Sequence, residues 1–229
     1  MINSCMKHLR SEKGNVTYLT IGLIMIIALM LVFIVNFGKI FAINEQAGTA
    51  AEQASLAATG IIYDEMLSVI GSYERDEDDE DEDDENGDED EDEEDEELEE
   101  LVEDRKDELL DAENYSENEA EIQAINQILE EEIPEDEDLQ EEIEEALIDA
   151  SQQITNEVSE IITRNNGNLS ETTIRMFNEE NRIEITTAVT YEQVAFGSMI
   201  DEGNEEIHQR GNGLEISFVE VLSWNNRSL

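Results

Sequence analysis

The residues whose types and spacing come closest to a chemical site are acidic and lie in one short run. Seven positions follow the spacing of an EF-hand calcium loop: Glu82, Asp84, Asn86, Gly87, Asp88, Asp90 and Glu93. The first position carries Glu where such loops have Asp, and a nearly pure acidic tract produces such matches by chance. We therefore expect either loose binding of divalent cations, which relieves repulsion between adjacent carboxylates, or a solvated linker that holds no metal.

Motifs of the common catalytic sites are absent from the sequence, which contains no P-loop and no G-x-S-x-G, H-E-x-x-H or G-x-G-x-x-G pattern. The only two histidines, His8 and His208, are 200 residues apart, and each is expected at the surface. Carboxylates are too abundant for any pair of them to indicate a glycoside hydrolase. We expect a protein without catalytic activity and without a dedicated cofactor.

The chain is strongly acidic, with 62 Asp and Glu residues against 12 Lys and Arg and a formal net charge of −50. Nucleic-acid binding is excluded, because it requires Lys and Arg to neutralise phosphates. Residues 76–97 include 20 acids and no base. Such a stretch repels itself and cannot bury a core, so we predict a disordered acidic tract over residues 73–97.

The N-terminal part contains a stretch, residues 15–38, without a charged side chain. As a helix it would span about 36 Å, enough to cross a hydrocarbon core of about 30 Å. Its apolar core is longer than that of a secretory signal peptide, so we expect a retained single-pass membrane helix. Lys7, Arg10 and Lys13 precede it and only Lys39 follows closely, which predicts a cytoplasmic N-terminus and an extracytoplasmic remainder.

An apolar stripe continues beyond the membrane segment at spacings of three and four residues, and most of its members are alanine: Ile40, Ile43, Ala47, Ala50, Ala54, Ala57 and Ile61. This spacing predicts that the helix extends through residues 39–72. Small side chains allow another helix to approach closely. The stripe is either a packing seam for a partner protein or a surface for later helices of the same chain, and the two roles are compatible.

The remainder divides into a helical region, residues 98–165, and a β-rich region, residues 166–229. A capping box from Ser116 to Glu119 predicts a helix start, and Pro134 is expected in the first turn of the next helix. Alternation of apolar and polar residues predicts strands over 183–191 and around Leu214, with a bulge near Phe218 and residues 211–213 in the connection. With a basic leader of residues 1–14, the fold class is α+β: a long membrane helix, a helical acidic middle and a small antiparallel sheet.

A basic leader, a membrane helix, an alanine-rich extension and a terminal sheet together resemble a pilin-type subunit. The stretch that carries this resemblance includes Ser11-Glu12-Lys13-Gly14-Asn15-Val16, the apolar run, and Gln46-Ala47-Gly48-Thr49-Ala50-Ala51-Glu52-Gln53-Ala54. It covers about residues 10–62 and is most similar to the TadE/TadG-like proteins of tight-adherence (Flp) pilus systems.

The resemblance implies an envelope protein that assembles or anchors a pilus together with other pilus-assembly proteins. Proteins of this type are often cleaved after a glycine, here between Gly14 and Asn15. Typical substrates carry Glu at the fifth mature position, where this chain has Leu19, so TadG-like members fit better than true pilins. The second hypothesis is a membrane-anchored extracellular protein that binds divalent cations through residues 76–97.

Overall fold

The computed structural model describes residues 12–73, 97–112, 115–191 and 205–222. These ranges contain four helices and three strands: α1 (Glu12–Ile70), α2 (Leu98–Asp111), α3 (Glu117–Glu132), α4 (Glu137–Arg164), β1 (Thr173–Arg175), β2 (Arg182–Tyr191) and β3 (Glu205–Glu215). Two 3-10 turns, Leu169–Glu171 and Ser217–Glu220, adjoin the sheet. The predicted α+β class is therefore confirmed, while the EF-hand-like positions between residues 82 and 93 lie outside the described residues.

Helix α1 is continuous over 59 residues and passes the predicted boundary at residue 38 without a break. Its second half is rich in alanine, the residue that favours helix most strongly. Two polar side chains in the apolar half bond back to helix carbonyls: Thr20 Oγ1 donates to Val16 at 2.8 Å, and Asn36 Nδ2 donates to Val32 at 3.1 Å. These polar groups are satisfied without water, as a lipid environment requires.

Helix α4 packs on α1 through an apolar face that is buried along its length: Leu139, Ile143, Leu147, Ala150, Ile154, Val158, Ile161 and Ile162. The carboxylate of Asp136 caps the start of α4 by accepting the backbone N–H groups of Asp138 and Leu139. The Tyr73 hydroxyl donates to the same carboxylate at 2.6 Å and so connects α4 to the chain just after α1. Pro134 lies in the turn before this cap, and not in the first helical turn as predicted.

Helices α2 and α3 pack on each other, and polar side chains support both their contact and the start of α3. Lys106 Nζ pairs with the Glu121 carboxylate at 2.8 Å, and this hydrogen bond raises the pKa of Lys106. The backbone N–H and the hydroxyl of Ser116 both donate to the Glu119 carboxylate, which lowers the pKa of Glu119. The predicted helix start at Ser116 is confirmed.

The three strands form an antiparallel sheet in the order β1-β2-β3. Ile185 of β2 is paired with Ile174 of β1 on one side and with Gly211 of β3 on the other. Residues 211–213 therefore belong to β3, and their predicted place in a connection is wrong. Glycine indicates a turn in most sequences, but inside a strand it also marks the close approach of another backbone.

The predicted bulge near Phe218 is also wrong. The register shifts earlier, because Arg182 pairs with Glu215 and Glu184 pairs with Asn212, so that β3 has one more residue than β2 between these pairs. Phe218 lies instead in the 3-10 turn Ser217–Glu220, where its side chain is fully buried. A 3-10 turn has about three residues per turn, which explains why the alternation of the strand ends there.

A buried hydrogen-bond network centred on Tyr63 joins α1 to α3 and to the end of β3. The Tyr63 hydroxyl donates to the Glu215 carbonyl at 3.0 Å and accepts the Asn126 side-chain amide at 2.9 Å. Asn126 Oδ1 in turn accepts the Ser217 backbone N–H at 3.1 Å. Burial raises the pKa of Tyr63 to about 12, so the hydroxyl remains a neutral donor at physiological pH.

We expect Tyr63→Phe to lower the free energy of unfolding by about 1–3 kcal/mol, because it leaves the buried Asn126 amide and the Glu215 carbonyl without their partner. The measurement is thermal or urea unfolding of the full chain in detergent, followed by far-ultraviolet circular dichroism. Tyr115→Phe is the matched control, since Tyr115 is exposed and its variant should stay within about 0.5 kcal/mol. Equal stability of both variants would contradict the network.

Candidate functional site: the anchoring helix and its packing surface

The first half of α1 presents apolar side chains outward on all sides. From Val16 (66% exposed) to Phe41 (71% exposed), its large hydrophobic residues remain uncovered by the rest of the chain. α1 is long and apolar enough to cross a membrane, and it is the one helix of the described ranges with this property. A continuous apolar surface of this extent is not stable in water, which indicates membrane anchoring.

Just beyond the apolar half, hydrogen bonds join α1 to other described elements of the fold. We call the head the unit formed by α1 from Asn44 onward and the described residues 97–222. Gln209 Nε2 of β3 donates to Asn44 Oδ1 at 2.6 Å, and Gln46 Nε2 donates to the Asn165 carbonyl at 2.7 Å. Phe41 and Asn44 are separated by about 5 Å along the helix axis. The head therefore begins within one helical turn of the apolar segment.

The alanine-rich half of α1 packs on β3, β2 and α4. Of the predicted stripe, Ala47, Ala50 and Ala54 are fully buried, whereas the others are partly buried or exposed: Ile40, Ile43, Ala57 and Ile61. The buried face instead continues through Ala58 and Ile62. A spacing of alternating three and four residues averages 3.5, and it drifts around a helix of 3.6 residues per turn.

Two glycines of β3 allow the backbones of the strand and the helix to come close together. A methyl group at Gly211 would overlap the backbone of Ala51 and Glu52, and one at Gly213 would overlap the Thr59 side chain. Because the obstacle at Gly211 is backbone, no side-chain rotation can relieve the overlap. The face of α1 that carries small side chains therefore packs against strand positions that have no side chain. Sequence reasoning missed this contact because it assigned these glycines to a connection.

The other predicted site residues are those of the leader cleavage and of the candidate cation site. Gly14 and Asn15 lie within the first turns of α1, and cleavage between them stays a prediction. The six cation-binding positions, Glu82, Asp84, Asn86, Asp88, Asp90 and Glu93, lie outside the described residues.

A separate polar cluster, which sequence reasoning did not find, lies on the sheet. Glu171, Glu206 and His208 each offer one ligand atom, and these atoms are within 4.8 Å of one another. His208 is exposed, in agreement with the predicted surface position. Glu171 and Glu206 are 35 residues apart in the sequence, so no local motif indicates that they meet.

Comparison with known protein families bears on the surface that α1 forms. Residues 14–60 match the family model described as Putative Flp pilus-assembly TadE/G-like. Over this segment the chain is similar to TadE/G-like proteins. No curated protein and no solved structure matches the chain.

The TadE/G-like segment is the greater part of α1, which continues beyond it to Ile70. It contains the outward-facing apolar half of α1 and the alanine-rich turns that pack on β3, and it ends near Gly60. The match supports a role related to pilus assembly, with contacts to other envelope proteins, for a chain anchored in a membrane. The rest of the head, from residue 61 onward, lies outside the match.

We expect Gly211→Ala to destabilise the head by about 1–3 kcal/mol or more, because the added methyl forces β3 away from α1. Gly60→Ala is the matched control: Gly60 is an exposed helical residue, and a methyl there meets nothing within 4 Å. That variant should gain about 0.5–1 kcal/mol, since alanine favours helix over glycine. The measurement is thermal unfolding in detergent, and a Gly211→Ala variant as stable as Gly60→Ala would refute the close approach.

Proposed function

We propose that this chain is a non-catalytic, membrane-anchored component of a Flp-type pilus assembly apparatus. The proposal rests on the TadE/G-like match over residues 14–60 and on the apolar half of α1, which the head leaves uncovered. Its N-terminus lies in the cytoplasm and its acidic head outside the membrane, in keeping with Lys7, Arg10 and Lys13 before the apolar segment. Within the apparatus, it acts as an assembly component or a minor pseudopilin.

The choice of role rests on one observation: the alanine-rich face of α1 is buried against other elements of the same chain. A bulk filament subunit needs a helix face through which many copies pack closely. Here Ala47, Ala50, Ala51, Ala54 and Ala58 are fully buried, and β3 and α4 are among the elements that pack on α1. Because this face is already covered within the chain, it is not free for packing between copies. This favours an assembly component or minor subunit over a bulk filament subunit.

The structure also supports a rigid connection between the anchor and the head. Helix α1 passes from one to the other without interruption, and the hydrogen bonds of Asn44 and Gln46 fasten the head at its membrane end. A rigid helix transmits position and orientation directly, which suits a component that holds other subunits at the membrane surface.

We expect labelling of single-cysteine variants to place the head outside the cell membrane. Cys5 is the only cysteine, so Gln152→Cys in a Cys5→Ser background reports on an exposed position of α4. In intact cells whose outer layers admit the reagent, a membrane-impermeant maleimide should modify the cysteine at 152 and leave Cys5 of the unaltered chain unmodified. Permeabilised cells are the control, in which both should react. Protection of position 152 in intact cells would reverse the proposed orientation.

We expect the chain to co-purify with other pilus-assembly proteins from detergent-solubilised membranes, and to stay in the membrane fraction when pili are sheared from cells. Deletion of its gene should reduce surface pili, and the unaltered gene should restore them. Recovery of the chain in sheared filaments in amounts comparable to the major subunit would identify a bulk filament protein. A chain that purifies alone, with normal pili in its absence, would refute the pilus role.

A further inference from the structure

The cluster of Glu171, Glu206 and His208 combines two carboxylates with an imidazole on the face of the sheet opposite α1. Glu206 and His208 are two residues apart on β3 and therefore point to the same side of the strand. Glu171 reaches them from the end of the 3-10 turn Leu169–Glu171. One ligand atom of each residue lies within 4.8 Å of the other two.

We propose that these three side chains bind one divalent transition-metal ion of the zinc class. Imidazole nitrogen together with carboxylate oxygen suits zinc and its neighbours, whereas calcium and magnesium are bound through oxygen ligands. Three protein ligands leave a coordination position for water. A tetrahedral ion with bonds of about 2.0–2.1 Å places its ligand atoms about 3.4 Å apart, so the side chains need to close by at most about 1.4 Å. Glu171 and His208 are exposed, and rotation of their side chains can supply this movement.

The segments that carry the ligands are held in place by the fold. The Asn168 backbone N–H donates to the Ala188 carbonyl at 2.7 Å, and Ala188 is paired with His208 in the register of β2 and β3. Thr172 Oγ1 donates to the Asn168 carbonyl at 2.9 Å and hydrogen-bonds to Thr187 Oγ1 at 2.8 Å. The turn is therefore fixed to β2 on both sides of Glu171, and the ion would meet ligands whose backbones are already in position.

A hydrogen bond from outside the ligand set orients one of the carboxylates. Asn168 Nδ2 donates to Glu206 Oε1 at 2.8 Å, which leaves the second oxygen of that carboxylate available to a metal. Supporting contacts of this kind orient metal ligands in proteins. Arg210 is the next cationic residue along this face of β3. Its guanidinium forms an ion pair with Glu184 at 3.0 Å, so it pairs with a carboxylate outside the proposed ligand set.

The bound ion would connect the turn after α4 to β3 across β2. Ala188, at the middle of this bridge, is fully buried. Residues 206 and 208 precede Gln209, whose side chain contacts Asn44 at the membrane end of the head. The ion would thus strengthen the part of the sheet nearest to the apolar segment, and this role is independent of any function of residues 76–97.

The test uses the full chain in detergent micelles, freed of metal by a chelator and labelled with nitrogen-15 at histidine. Only two histidines contribute to the imidazole spectrum, and His8→Asn assigns the signals and serves as the control for imidazole binding elsewhere. One equivalent of zinc chloride should shift the His208 ring nitrogen signals, both in the unaltered chain and in His8→Asn. Excess calcium chloride, which occupies loose carboxylate sites, should leave that shift in place.

Glu171→Gln and Glu206→Gln should each weaken zinc binding at His208 by about 10- to 100-fold or more, because loss of a direct ligand costs at least as much as loss of a supporting contact. All variants change accessible side chains, and circular dichroism verifies that they fold. The proposal is overturned if one equivalent of zinc leaves the His208 signals unmoved, if calcium abolishes the shift, or if both glutamine variants bind as tightly as the unaltered chain.

Discussion

The close approach of α1 and β3 is the contact on which the rest of the structure depends. On the helix, alanine, serine and threonine replace larger side chains along the face that meets the strand, and on β3 two glycines remove side chains altogether. Packing at this distance gives many small van der Waals contacts over a short length. It also fixes the sheet directly to the helix that enters the membrane, so the head cannot tilt freely on its anchor.

Other elements of the head pack on further faces of α1. Helix α4 covers it with a fully apolar face, while the Tyr63 network joins it to α3 and to the end of β3 through directional hydrogen bonds. Apolar packing supplies most of the free energy in such an arrangement, and a buried polar network selects one arrangement among several of similar packing quality. At the far end, the Asp136 carboxylate serves both as a helix cap and as the acceptor for Tyr73.

The TadE/G-like segment lies entirely within α1. Residues 14–60 contain the apolar half of α1 and the first turns of its packing surface. The rest of the head, from residue 61 onward, lies outside the match and includes the polar face of the sheet.

The sequence by itself determined the features that depend on local pattern. The uncharged stretch of residues 15–38 predicts an anchor because length and hydropathy suffice for that inference. The buried positions of α4 follow from a sustained helical period, and the helix start at Ser116 follows from its capping box. The alternation in residues 183–191 predicts β2, since a half-buried strand repeats every two residues.

Only the tertiary structure decided which distant groups meet. Gly211 has the same sequence signature in a turn as in a strand, and the backbone of Ala51 distinguishes the two. Tyr63 and Asn126 are 63 residues apart, and their hydrogen bond depends on how α1 and α3 are placed. Glu171 and His208 likewise form a cluster only because a turn and a strand adjoin in space. Periodicity fixes the face that a residue occupies, whereas the identity of its neighbours is set by the packing of whole elements.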